Sequence, residues 1–511
     1  MLVKTLVCLV AASLVRGATH DPEVDMNAVE MIRYWGYPAE EVEAKTDDGY
    51  VLTMHRIPYG RAGPGPEGTC KPVIFMQHGL ECDSTNWIAN LPENSAAFMF
   101  ADAGFDVWLG NMRGNTYGKN HISLDPKKEK FWEFSWDEMA QKDLPAMIDT
   151  VLQTTGHSDL YYMGHSQGTL TMFSKLSMDQ EFATKIRKFF ALAPVGTVKH
   201  IKGLLSVLAE WFLPEFDLWI DVFGYGEFLP NSEIMDLLAK WICGDSKIGD
   251  ALCDDVLFLI AGPESDQFNT TRTEVYISHT PAGTSTMNIQ HWAQMVKEGT
   301  VSRFDYGSSK TNQQHYGQSK PPSYDFTKIK NDMFLYWSDD DWLADPDDIK
   351  GYLLTSLNPN HIKLNNHLPG YNHLDFIWGM NAAGDIYQPI INLLKDEMGG
   401  EVKSRAIRDL TKPFIVADAA TSIELSIMLL KALFCLAAAS LVTGTTHDPE
   451  VNMTAMEMIR YWGYPAEEVE ATTDDILIMH RIPYGRAGPG PEGACKPVIF
   501  IQHGLECDST I

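Results

Sequence analysis

Residues 160–176 read LYYM-GHSQG-TLTMFSKL: an apolar run, then Gly164-His165-Ser166-Gln167-Gly168, then a stretch with apolar positions at helical spacing. A G-x-S-x-G pattern has chemical meaning when a strand precedes it and a helix follows it, and both flanks meet that condition here. Glycine on each side lets the chain turn sharply from strand to helix without a Cβ clash. The turn lifts the Ser166 hydroxyl to the helix N-terminus, where peptide dipoles favour developing negative charge. Ser166 is therefore the candidate nucleophile. A serine hydroxyl attacks poorly until a base takes its proton, so the pattern requires a histidine and an acid elsewhere in the chain.

Four further apolar runs have the length of buried strands: Val73–Gln77 (VIFMQ), Asp106–Leu109 (DVWL), Phe189–Leu192 (FFAL) and Met333–Trp337 (MFLYW). With Leu160–Met163 they alternate with helical patterns such as Trp136–Val151 and Thr169–Met178. Such alternation predicts an α/β fold, a mostly parallel sheet with helices on both faces. Sheets of this kind bind ligands beyond the carboxyl ends of their strands. Residues 198–324 interrupt the alternation. Within them Ile201–Pro230 is rich in Leu, Trp and Phe, is broken by Pro214 and Gly224, and reads as short amphipathic helices inserted as a cap.

After a G-x-S-x-G turn the acid and then the histidine follow in chain order. Asp339, Asp340, Asp341, Asp345, Asp347 and Asp348 all follow the MFLYW run, and spacing leaves each open as the group that orients the imidazole. His373, in the turn-rich Pro369–Asp375 (PGYNHLD), is the histidine candidate, with His361 and His367 competing by position. An oxyanion site needs two backbone donors aimed at the tetrahedral oxygen. One is the amide after the nucleophile, Gln167. The H-G turn directly after VIFMQ offers the amide of Leu80 as the other.

Lys and Arg number 40 against 68 Asp and Glu, a net charge of −28, which repels a nucleic-acid backbone or an anionic membrane and makes neither an expected partner. Residues 1–17, MLVKTLVCLVAASLVRG, combine a positive start at Lys4, the apolar core Leu6–Val15 and a small residue at Gly17, which reads as a signal peptide for an oxidising secretory compartment. The far end repeats the beginning. Residues 428–475 align to 1–48 with 38 identities, and His480–Thr510 align to His55–Thr85 with 29. Solenoid repeats are complete units of short period, whereas this copy holds only the start of a domain. The chain thus reads as one complete domain over 18–400, a linker over 401–427, and a truncated duplicate of residues 1–85 over 428–511. Leu425–Val442 is about long enough to cross a bilayer, but Lys431 interrupts it and it duplicates a signal peptide, so no transmembrane anchor is expected.

Cys243 and Cys253 enclose the polar GDSKIGDAL and can close a local disulfide in an oxidising compartment. Cys70 and Cys82 flank the VIFMQ strand, whose rise of about 3.3 Å per residue holds them apart, so no bond is assigned to them. No Cys/His spacing matches a zinc site and no HExxH occurs, so no metal is expected.

The main domain resembles the acid lipase family, the gastric and lysosomal acid lipases, on an α/β-hydrolase fold. The resemblance runs from about Tyr34 to about Leu394 and rests on QHGL at 77–80, ADAGFDVWLGNMRGN at 101–115, FSWDEMAQKDLPAMID at 134–149, GHSQGT at 164–169, ISHTPAGTS at 277–285, DWLADP at 341–346 and NHLDFIWG at 372–379. It implies Asp341, the first Asp of DWLADP, as the relay acid and His373 of NHLDF as the base. It implies Leu80 and Gln167 as oxyanion amides, a cap disulfide between Cys243 and Cys253, and a glycosylation sequon at Asn269-Thr270-Thr271. The loops Cys243–Cys253 and Asp341–His373 are slightly longer than the family's. The implied activity is that of a secreted or lysosomal ester hydrolase of triacylglycerol or cholesteryl ester at a lipid–water interface, without a cofactor. The apolar cap agrees, because long acyl chains need surface that water avoids. A small-substrate carboxylesterase and a non-catalytic lipid carrier are the rivals, and an intact triad is not expected of the carrier.

Overall fold

Each of the five apolar runs forms a strand. In chain order the strands are β1 Glu40–Lys45, β2 Tyr50–Ile57, β3 Val73–Gln77, β4 Asp106–Gly110, β5 Asn120–His121, β6 Leu160–His165, β7 Ile186–Leu192, β8 Glu227–Phe228, β9 Thr284–Ser285, β10 Asp332–Trp337 and β11 Ile362–His367. They come from a computed structural model that describes residues 21–66, 71–203, 224–228, 261–398, 467–472 and 476–481. The signal peptide at 1–17, Cys70, Cys243, Cys253, the 401–427 linker, Leu425–Val442 and much of the 198–324 insertion lie outside the described residues.

The sheet order is β1-β2-β4-β3-β6-β7-β10-β11, with β5 paired to β2 and a separate β8–β9 ladder. From β4 to β11 every pairing is parallel, while β1 and β2 are antiparallel additions at one edge. β3 and β4 are buried at every position, which is why they read as unbroken apolar runs rather than alternating ones. The sheet also contains strands that the apolar runs do not announce. β1 (EEVEAK) and β11 (IKLNNH) are the two sheet edges, polar and largely exposed. Charged and amide side chains at an edge discourage pairing with other chains.

Because the central strands are parallel, their carboxyl ends share one edge. Ser166 follows β6, His78–Leu80 follow β3, Asp341 follows β10 and His373 follows β11. The expected helix at Trp136–Val151 is a helical run from Trp136 to Thr155. It opens on a Ser135–Glu138 capping box, passes through a π turn at Met139–Asp143 and continues as α1, Leu144–Thr155, to Gly156 at φ 72°. The helix after the motif is α2, Gln167–Met178, two residues longer at its start than the pattern Thr169–Met178. The described part of the insertion includes Thr273–His279 and α3, Thr286–Glu298. No helix among the described residues is long and apolar enough to cross a membrane.

A buried ion cluster ties α1 to the sheet. Arg113, just past β4, donates to Asp143 at 2.6 and 2.8 Å and to Asp48 at 2.8 Å, with its guanidinium 3.9 Å from the Tyr50 ring. Burial raises the Asp143 carboxyl pKa even with Arg113 beside it. Removing one partner of such a cluster strands a charge in the interior. Arg113→Met is expected to cost about 3–5 kcal/mol of unfolding free energy measured by urea titration, and a loss under about 1 kcal/mol would show that Asp143 does not depend on Arg113.

The chain divides into two units, Met1–Ala406 and Ile407–Ile511. In the second, β12 Glu467–Thr472 and β13 Ile476–Arg481 form an antiparallel ladder. Its pairing of Glu467 with Arg481 repeats the pairing of Glu40 with Arg56 in β1–β2, as the duplicated sequence requires.

Candidate active site

The elbow forms where β6 hands over to α2. Ser166 sits at φ 53° and ψ −119°, a conformation few non-glycine residues adopt, so the turn's strain falls on the serine itself. Its N–H donates to Leu192 O at 3.1 Å, and its carbonyl accepts from Thr169 N at 2.8 Å and Thr169 Oγ1 at 2.7 Å. The flanking glycines serve close packing. A Cβ on Gly164 would fall 2.8 Å from Gly168 O, and one on Gly168 would fall 2.5 Å from Gln77 O. The elbow is thereby pressed against the end of β3.

The structure separates the acids that spacing left open. Asp341 is fully buried, and its Oδ1 accepts from Leu343 N at 2.9 Å and Ala344 N at 2.8 Å. His373 Nδ1 lies 3.0 Å from Oδ1 and 2.9 Å from Oδ2 of the same carboxylate. The others are engaged elsewhere. Asp339 pairs with Lys350 at 2.7 Å and His367 at 2.8 Å on the surface, and Asp340 accepts from Gly370 N at 3.1 Å. Asp345 pairs with Lys202 and caps Asp347 N, Asp348 pairs with His200, and Asp347 is exposed. Of the competing histidines, His367 is held by Asp339, and His361 sits in the turn that leads into β11.

Two histidines inside the motifs have structural parts that motif spacing does not reveal. His165 is buried, and burial, with His373 adjacent, holds its pKa well below the ordinary histidine value. It is therefore neutral, and its Nε2–H donates to His373 O at 3.0 Å. Since His373 N–H donates to Ala261 O at 3.1 Å, the His373 backbone is pinned on both sides. His78 makes three hydrogen-bond contacts at the HGL turn.

Gly79 and Gly168 put that turn against the elbow. A Cβ on Gly79 would fall 3.1 Å from Ser166 Cβ and 3.2 Å from His165 Nδ1. Neither the Leu80 nor the Gln167 N–H is taken by a backbone acceptor among the described residues. The Gln167 side chain is anchored from α3, its Oε1 accepting from Asn288 Nδ2 at 2.9 Å and Trp292 Nε1 at 2.8 Å.

Among the remaining sequence expectations, Asn269 is half-buried and its Oδ1 accepts from Thr271 Oγ1 at 2.7 Å. Cys82 is a buried free cysteine whose thiol burial pushes up to about 12. No cluster of three or more His, Cys, Asp or Glu suited to a metal ion occurs among the described residues.

A serine elbow and a buried Asp–His pair at the carboxyl edge of a parallel sheet define an α/β hydrolase. Residues 72–380 match the family described as alpha/beta hydrolase fold, and residues 28–91 and 455–511 each match the partial alpha/beta-hydrolase lipase region. The chain is 56% identical over 394 residues to Lipase lipl-1 of Caenorhabditis elegans, covering 77% of this chain and 97% of that one. It is 59% identical over 387 residues to Lipase lipl-5 of the same organism, covering 75% and 96%. Against the gastric triacylglycerol lipase of Homo sapiens the identity is 46% over 400 residues, covering 76% and 98%. The chain belongs to the acid lipase family of α/β hydrolases and is an ester hydrolase of the lipase type.

Proposed function

We propose that this chain hydrolyses esters of neutral lipids, triacylglycerols and cholesteryl esters, through an acyl-enzyme on Ser166. The observation that carries the proposal is the buried contact of 2.9 Å between His373 and Asp341 beside the strained Ser166 elbow. Ser166 Oγ attacks the ester carbonyl carbon while His373 Nε2 takes the hydroxyl proton. Asp341 keeps the other imidazole proton on Nδ1 and stabilises the imidazolium. The carbonyl oxygen becomes an oxyanion held by the Leu80 and Gln167 N–H groups. Collapse expels the alcohol, which leaves with the proton from His373. Water then gives a proton to His373 and attacks the acyl carbon; collapse breaks the bond to Ser166 Oγ, which takes that proton back from His373, and the fatty acid is released.

The gastric relative is named for triacylglycerol. The Leu-, Trp- and Phe-rich segment Ile201–Pro230 has the composition that long acyl chains need around them. The same reading holds the chain to be secreted or lysosomal, with a Cys243–Cys253 disulfide and a glycan at Asn269. The duplicated segment repeats the residues HGL at His503–Leu505.

A fluorophosphonate probe is expected to phosphonylate one serine of the purified chain, and peptide mass mapping is expected to place the adduct on Ser166. The same preparation is expected to turn over emulsified triolein or cholesteryl oleate faster than soluble butyrate esters. Rapid hydrolysis of the soluble esters with none of the emulsions points instead to a small-substrate esterase.

A further inference from the structure

We infer that His78 is a positioning residue for the oxyanion site: its Nδ1–H holds the Gly79 carbonyl and so fixes the direction of the Leu80 N–H. The inference rests on the proposed role of the Leu80 amide.

The tautomer follows from the partners. His78 Nε2 lies 3.1 Å from Met112 N and 3.0 Å from Asn115 Nδ2. A backbone amide can only donate, so Nε2 is the bare, accepting nitrogen. The ring proton is then on Nδ1, 2.8 Å from Gly79 O, which can only accept it. Burial pushes the imidazole pKa down to about 4, which keeps Nε2 bare in mildly acidic solution.

The Gly79–Leu80 peptide is planar and trans, so its N–H points opposite to its C=O. Fixing the Gly79 carbonyl fixes the Leu80 donor. Among the described residues, His78 Nδ1 is the one recorded hydrogen-bond partner of the Gly79 carbonyl. Gly79 has no side chain, and a Cβ there would press on Ser166 Cβ at 3.1 Å. Glycine peptides rotate readily between turn conformations, and Glu81, just beyond, already sits at φ 57°. The ring is in turn anchored by Met112 and Asn115, which lie in the loop after β4, the strand paired to β3. A donor aimed at the oxygen matters more once that oxygen is charged, so its misdirection lowers kcat rather than raising KM.

Two substitutions in the full chain divide the two halves of the ring. His78→Gln keeps an acceptor near the Nε2 position for Met112 and loses the donor to Gly79. His78→Asn keeps a donor near the Nδ1 position and loses the acceptor. On a soluble ester, His78→Gln is expected to lower kcat about 10–100-fold with KM within about threefold, and to weaken a trifluoromethyl ketone, whose adduct carries the oxyanion, in parallel. His78→Asn is expected to keep kcat within about fivefold even where its melting temperature falls. Unchanged kcat in His78→Gln, or a loss beyond about fivefold in His78→Asn, overturns the inference. Should His78→Gln fail to fold, His78→Asn decides by the same threshold. In the unaltered chain, nitrogen chemical shifts are expected to show a protonated Nδ1 and a bare Nε2 at His78, and the reverse tautomer also overturns it. Ser166→Ala measured alongside separates the layers. Hydrolysis that survives it overturns the Ser166 reading, whereas its loss together with a fully active His78→Gln overturns only the role of His78.

Discussion

Ser166→Ala is expected to lower kcat for ester hydrolysis about 10⁶-fold, with any residual rate coming from the oxyanion donors and substrate binding alone. The reason is covalent. Without Oγ the proposed acyl-enzyme cannot form, and water must attack the ester directly. The fold should not register the change. Alanine has the same Cβ as serine, so the cost of holding φ 53° is the same, and the elbow's recorded hydrogen bonds use the Ser166 backbone rather than its hydroxyl. The melting temperature is therefore expected to stay within about 2 °C of wild type, since a surface-like loss of a few tenths of a kcal/mol moves it no further. Full progress curves on a soluble ester, with fluorophosphonate labelling in parallel, check both halves. A variant that keeps a tenth or more of the wild-type rate would falsify the assignment of Ser166.

What could be read from the chain follows where its energy lies. β3, β4 and β6 are covered on both faces, so burial alone fixes their residue types and the runs VIFMQ, DVWL and LYYM announce them. β11 pairs with β10 from Ile362 to His367, with one register shift, yet carries IKLNNH. An edge strand is held by backbone hydrogen bonds, which leave little mark on side-chain choice. The site divides in the same way. Ser166 is legible because the elbow needs glycines at fixed offsets. Asp341 is not separable from Asp339 or Asp340 by spacing, because the difference is three-dimensional: one carboxylate is buried under two amides and a histidine, while its neighbours meet a lysine or a loop amide. His165 stands inside the motif, but its role depends on a carbonyl 208 residues away in the chain. For the acid, the family resemblance selected the residue that the structure pairs with His373.

Asp341→Asn is expected to lower kcat about 10⁴-fold while leaving the chain folded, because it locks His373 in the wrong tautomer. An asparagine at 341 has one oxygen and one NH₂ to place. The Leu343 and Ala344 amides, at 2.9 and 2.8 Å from Oδ1, are donors and retain the oxygen. The NH₂ group is left at the Oδ2 position, 2.9 Å from His373 Nδ1. The NH₂ donor then faces the ring nitrogen at 2.9 Å, with the retained oxygen at 3.0 Å, which favours Nδ1 as the acceptor and the proton on Nε2. In the proposed mechanism that is the nitrogen that receives the Ser166 proton, and it can no longer do so. The substitution is nearly isosteric and satisfies every buried group, so its thermal cost should be small, in contrast to Asp341→Ala, which strands two backbone amides and His373 Nδ1. Two measurements separate a tautomer effect from a loss of structure. The low-field proton resonance of His373 Nδ1–H is expected in the wild type and absent in Asp341→Asn, and kcat should fall with the melting temperature almost unchanged. An Asp341→Asn enzyme with that resonance intact and near wild-type turnover would mean that another group orients His373.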